Sequence, residues 1–126
     1  MKANGKFIMR FIGISRVFSL KNEDQYNTIG AFWDEMAEKY GLENLRGLGY
    51  RWERGFIYYA IGLKNGNIDG ADLTMDLPDE NWLVVSGKTG KLKEIYDEIY
   101  RDGALTYEIE TFDHNGECLI SYYREA

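Results

Sequence analysis

Two stretches of this chain repeat apolar residues at helical spacing, each ends at a glycine, and each is flanked by strand-like segments. In the first, Tyr26, Ile29, Trp33, Met36, Ala37 and Tyr40 share one face before Gly41, with Asn22 as the expected N-cap and Gln25 three residues on. In the second, Leu92, Ile95, Tyr96 and Ile99 precede Gly103. Strands are expected over Phe7–Val17 and Phe56–Leu63, with a weaker one over Ala71–Leu77, and residues 42–49 read as a glycine-punctuated connection. Pro78 breaks the chain before a short strand, Asn81–Ser86, and Ala104–Asp113 and Glu117–Arg124 flank Asn115-Gly116, the strongest hairpin signal present. The order is therefore βαββ twice. The helices echo it, since Phe32-Trp33-Asp34-Glu35-Met36 matches Ile95-Tyr96-Asp97-Glu98-Ile99 in character. The expectation is one α+β domain over residues 1–126, in which two βαββ units form a pseudo-symmetric antiparallel sheet with two helices on one face and a central ligand cleft.

Composition removes several functions. A chain of 126 residues is one domain's worth, and a net charge of −6 has the wrong sign for gripping phosphate backbones. No apolar run approaches the roughly 18 residues that cross a bilayer, and no signal-peptide stretch opens the chain, so a cytoplasmic setting is expected, with neither nucleic acid nor membrane as partner. One cysteine, Cys118, and one histidine, His114, do not make a His/Cys metal cluster or a Ser-His-Asp triad. Cys118 reads as a packed thiol and His114 as exposed at a hairpin tip. Asp69, Asp72 and Asp76 lack the spacing of a calcium loop, while 64–67 and 86–90 read as ordinary turns without full phosphate-loop spacing. Neither metal nor cofactor is implied.

What stands out is ten tyrosines and three tryptophans, residue types that join a large apolar body to a polar tip, as ligand pockets require. Charge is uneven as well: residues 69–126 carry five basic and fourteen acidic side chains. Such a field draws cationic ligands towards an aromatic cleft.

Within Tyr107–Phe112 the strand alternation puts Glu108, Glu110 and Phe112 on one face. A two-residue Asn115-Gly116 loop would bring Leu119, Ser121 and Tyr123 to that face. A three-residue loop would bring Cys118, Ile120 and Tyr122 instead. Asn-Gly favours the first arrangement.

The βαββ-βαββ order, the segment Leu77-Pro78-Asp79-Glu80-Asn81-Trp82-Leu83-Val84-Val85-Ser86-Gly87 and the string Tyr107-Glu108-Ile109-Glu110-Thr111-Phe112-Asp113 together resemble the gyrase-inhibitor-like (GyrI-like) family, which includes effector-binding domains of AraC- and MerR-type multidrug regulators. The resemblance implies that Glu110, between Ile109 and Phe112, sits at the bottom of an aromatic pocket where it meets cationic lipophilic ligands. It implies pocket roles for Trp82 and Trp33, and the ligand-binding set expected is Glu110, Phe112, Trp33, Trp82, Tyr58 and Tyr123. Phe112 stands where the family commonly has tyrosine, and Val85 and Ser86 where it has an aromatic. A stand-alone module binding hydrophobic, cationic small molecules is the function implied, with no DNA-binding domain in the same chain. Two alternatives accompany it: hydrolysis of strained cyclopropane-type electrophiles, with Glu110 paired with Tyr123 or Tyr58, and inhibition of a topoisomerase through the acidic half.

Overall fold

The structure is a computed structural model that describes residues 8–78 and 80–125. Seven strands and two α-helices make up the fold: β1 Ile8–Ser19, α1 Gln25–Tyr40, β2 Leu45–Glu53, β3 Phe56–Leu63, β4 Leu73–Pro78, β5 Leu83–Lys88, α2 Leu92–Tyr100, β6 Tyr107–Phe112 and β7 Glu117–Tyr123. All strands belong to one sheet in the order β4-β1-β3-β2-β6-β7-β5, and every neighbouring pair is antiparallel.

The repeat is present, but its first unit is assembled differently from the expectation. Residues 45–53, within and beyond the stretch read as a connection, form a strand at the middle of the sheet. The units are thus β1-α1-β2-β3 and β5-α2-β6-β7, each with its third strand between the other two, and they meet where β2 pairs with β6. The strand expected at 71–77 is β4, an edge strand outside the repeat. Phe7, the expected start of the first strand, lies outside the described residues.

Both helices lie on the same face. Phe32, Trp33 and Met36 of α1 share a core with Tyr96 and Ile99 of α2, over Tyr59 and Ile61 of β3 and Cys118 and Ile120 of β7. A smaller apolar cluster on the opposite face holds Phe11, Leu48, Ala60 and Leu77.

Two local readings change. The first helix begins at Gln25, not after Asn22, because Asn22 and Glu23 adopt left-handed φ of 56° and 58°, and the Asp24 carbonyl accepts the first helical bonds, from Asn27 and Thr28. The final hairpin has three loop residues, His114, Asn115 and Gly116, because the Asp113 side chain accepts from the backbone N–H of both Asn115 and Glu117 and Gly116 takes a φ of 76°. Glu110 therefore faces Ile120, and Phe112 faces Cys118. Cys118, Ile120 and Tyr122, not Leu119, Ser121 and Tyr123, join the glutamate face.

The seam between the units is unequal. On the helix-facing side β6 carries Glu108 and Glu110, whereas their partners on β2 are Gly49 and Gly47. A Cβ at Gly47 would collide with the Tyr59 hydroxyl and lie 2.8 Å from the Trp33 ring, and one at Gly49 would lie 2.8 Å from Glu108 Cγ. Glycine on one strand makes the room that glutamate fills from the other. Gly47→Ala is expected to destabilise the fold by about 1–3 kcal/mol through overpacking. Gly30→Ala, in α1 with nothing within 4 Å of an added Cβ, is expected to stabilise it by up to ~1 kcal/mol. Urea unfolding of the two variants checks this contrast in sign.

Candidate ligand-binding site

A cleft of about 1000 Å³ opens between α1 and α2, directly over the β2–β6 seam. Its floor carries Glu108, Glu110 and Phe112 of β6 and Tyr59 of β3; α1 supplies Tyr26 and Trp33, and α2 supplies Tyr96 and Tyr100.

Strand alternation buries both glutamates, at 3% and 4% exposure, against the sheet's apolar face. Burial of a carboxylate demands donors, and here tyrosines provide them. The Tyr59 hydroxyl accepts a bond from Trp33 Nε1 at 2.8 Å and donates to Glu110 Oε1. The Tyr96 hydroxyl donates to Glu110 Oε2 at 2.5 Å, and Tyr100 donates to Glu108 Oε1 at 2.8 Å. Trp33 meets Phe112 edge-on at 4.8 Å between ring centres, and Tyr96 stacks on Tyr100 at 5.5 Å. Glu110 is thus held from α1 through Tyr59 and from α2 directly.

No lysine, arginine or histidine side chain pairs with either glutamate among the described residues. Lys93, at the cleft's edge, is engaged by Asp97 at 2.9 Å and Glu23 at 3.3 Å. Desolvation accordingly raises both carboxyls above the usual range, and the neighbouring Glu110 charge pushes Glu108 further, to about 8. Tyr59 and Tyr96 restrain the rise at Glu110, and Tyr96 and Tyr100 that at Glu108. Burial and the adjoining carboxylates push the Tyr59 and Tyr96 hydroxyls well above their ordinary value, so they remain donors at any physiological pH. Two more polar atoms of lining residues, Gln25 Oε1 and Thr89 Oγ1, are buried without a hydrogen-bond partner.

Of the residues anticipated from sequence, Glu110, Phe112 and Trp33 come together in this cleft. Tyr58, Trp82 and Tyr123 do not line it. Alternation along β3 gives the helix-facing place to Tyr59, and Tyr58 lies beyond the sheet, 6.0 Å from Tyr50. Trp82 donates from Nε1 to the Pro78 carbonyl and lies over Tyr107 and Tyr123, at 6.3 and 5.6 Å. Tyr123 is on that side because the hairpin loop has three residues. Tyr59, Tyr96, Tyr100 and Glu108 are not among the residues expected from the sequence to bind ligand. The signal for Tyr59 was its parity with Ile57 and Ile61, and that for Tyr96 its match to Trp33 in the repeated helix string. His114 is exposed, as expected, though at the mouth of the cleft, and Cys118 is a buried thiol.

No family model matches the chain, and no curated protein matches it by sequence. Among solved structures, the fold is similar to that of SAV2435 bound to tetraphenylphosphonium, with a TM-score of 0.62 and 14% identity over 93% of this chain and 92% of that one. At that identity the likeness is one of fold. The cleft geometry described above is this chain's own.

A glutamate whose carboxyl is raised by burial contributes nothing to stability below its unfolded value, where both states are protonated, and costs stability as the unfolded chain alone ionises. Stability of the unliganded protein is therefore expected to fall as pH rises from about 4.5 to about 8 and to level off above. Unfolding midpoints across that range should show this slope, and Glu108→Gln should flatten it.

Proposed function

We propose that this protein binds hydrophobic cations in the cleft between α1 and α2, the aromatic rings receiving the body of the ligand and the Glu108–Glu110 pair its charge. The observation that carries this reading is a pair of buried carboxylates, open to a large aromatic cleft, with no cationic side chain to neutralise them among the described residues. A cation entering the cleft supplies the missing charge. Trp33, Tyr96 and Tyr100 offer π faces at the same place, and cation–π attraction adds to the ionic contact where water is excluded. Such contacts set few demands on shape, so a range of aromatic and aliphatic cations fits. The acids Glu23, Asp34 and Asp113 at the cleft extend the same field outward. The resemblance to GyrI-like effector-binding domains and the shared fold with SAV2435, whose structure holds tetraphenylphosphonium, both support this reading.

Tetraphenylphosphonium is expected to alter the fluorescence of Trp33. Removing the charge with Glu110→Gln should weaken the cation by roughly 10- to 100-fold, the worth of a charge-assisted contact, and leave neutral triphenylphosphine oxide nearly unaffected. Trp82→Phe, on the other side of the sheet, should leave both affinities in place. Cation affinity should also fall as pH drops and the carboxyls gain protons, with neutral-ligand affinity flat. Equal losses for the cation and the neutral ligand would overturn the reading.

A further inference from the structure

Glu108 and Glu110 are two residues apart on one strand face, which separates their backbone positions by only about 7 Å. Both are buried, and three hydroxyl donors serve their four oxygens: Tyr59 on Glu110, Tyr100 on Glu108, and Tyr96 on Glu110 Oε2 while also acting on Glu108 beside it. The groups that face the pair from every packed element are neutral or acidic, apart from Lys93 and the single histidine. From β3 comes Tyr59, and from α2 Tyr96 and Tyr100. The α1 side brings Tyr26, Glu23 and Asp34; the hairpin brings Asp113, and β7 the Cys118 thiol. Lys93 is spent on Glu23 and Asp97, and His114 stands exposed at the mouth. Two like charges so close and dehydrated, with no counter-ion among the described residues, oppose each other's ionisation, which favours one shared proton on the pair. Glu110, with a hydroxyl on each oxygen, is the better-stabilised anion, which leaves the proton to Glu108.

We propose that the cleft is a cation–proton exchange site, in which each bound cation expels one proton held on Glu108. The step balances simply: the Glu108 carboxyl O–H bond breaks, its electron pair stays on the carboxylate, the proton passes to solvent buffer, and the incoming cation takes over the neutralisation. The proposal rests on the binding reading above and adds to it the stoichiometry of charge. It also separates ligand classes. A permanent cation binds with release of a proton. A lipophilic amine that arrives as its free base takes the Glu108 proton itself and binds as the ammonium with no release. A neutral molecule leaves the proton where it is. Burial raises the Glu108 carboxyl to about 8, consistent with a proton held through neutrality.

Calorimetric titration with tetraphenylphosphonium at neutral pH, in phosphate and in Tris buffers of different ionisation enthalpy, counts the protons. The expected result is release of close to one proton per cation, shrinking towards zero as the pH is taken above about 8, with none released by triphenylphosphine oxide. In Glu108→Gln the cation should still bind, and the release should fall to a small fraction of a proton. Binding with no buffer dependence in the wild type would overturn the exchange and leave the binding reading standing. Release that persists in Glu108→Gln would assign the proton to another group and overturn it as well. Failure of the cation to bind at all would remove the binding reading, and the exchange with it. The wild-type series decides whether a proton is released even if the variant is poorly folded, and zero release overturns the proposal by itself.

Discussion

The carboxylate of Glu110 is the point on which the two halves of this molecule converge. It lies at the seam of the sheet, and the groups that satisfy it come from opposite sides: Tyr59, itself fixed by the Trp33 indole of α1, and Tyr96 of α2. Trp33 and Tyr96 occupy matching positions in the repeated helix strings, so the pseudo-symmetry of the chain brings one polar-tipped ring to Glu110 directly and the other to it through Tyr59. A shift of α2 would remove a donor from a buried carboxyl, and a shift of α1 would remove the indole that fixes Tyr59, penalties larger than the loss of an ordinary surface contact. Gly47 and Gly49 belong to the same constraint, because a side chain on either would occupy the space of Tyr59 or Glu108.

That constraint separates the two faces of the sheet by chemistry. The helix side keeps a cleft with ionisable groups at its floor, whereas the opposite side collects Tyr50, Tyr58, Trp82, Tyr107 and Tyr123 as packing residues with only neutral hydrogen bonds, such as Trp82 to Pro78 and Tyr50 to Ser15. A high aromatic content therefore reflects two separate uses. In the proposed function, it is the rings that share a face with Glu108 and Glu110 that meet the charged ligand.

Periodicity and turn signals make both helices and six of the seven described strands legible in the sequence, and the resemblance to the GyrI-like family is what points to Glu110. β2 escaped because its glycines, read as punctuation, are there to admit the glutamates across the seam; nothing within residues 42–49 themselves announces a central strand. Tyr123 was assigned to the wrong side by one residue of loop length, which the Asp113 side chain decides through two backbone bonds that Asn115-Gly116 alone does not reveal. Trp82 was tied to the cleft through its segment, yet its ring turns the other way to reach Tyr107. Tyr59 and Tyr96 follow from strand parity and the helix match once Glu110 is taken as the centre.

The two carboxyl groups at the seam set the charge of the cleft. Carbon-13 NMR of the glutamate side-chain carboxyls, assigned through Glu108→Gln and Glu110→Gln and followed across pH, observes them directly. The prediction is two separated steps, with the second proton leaving only near about 8 and tracking the Glu108 resonance. Both carboxyls ionising together in the ordinary range of an exposed glutamate would contradict the buried, counter-ion-free pair on which the site is built.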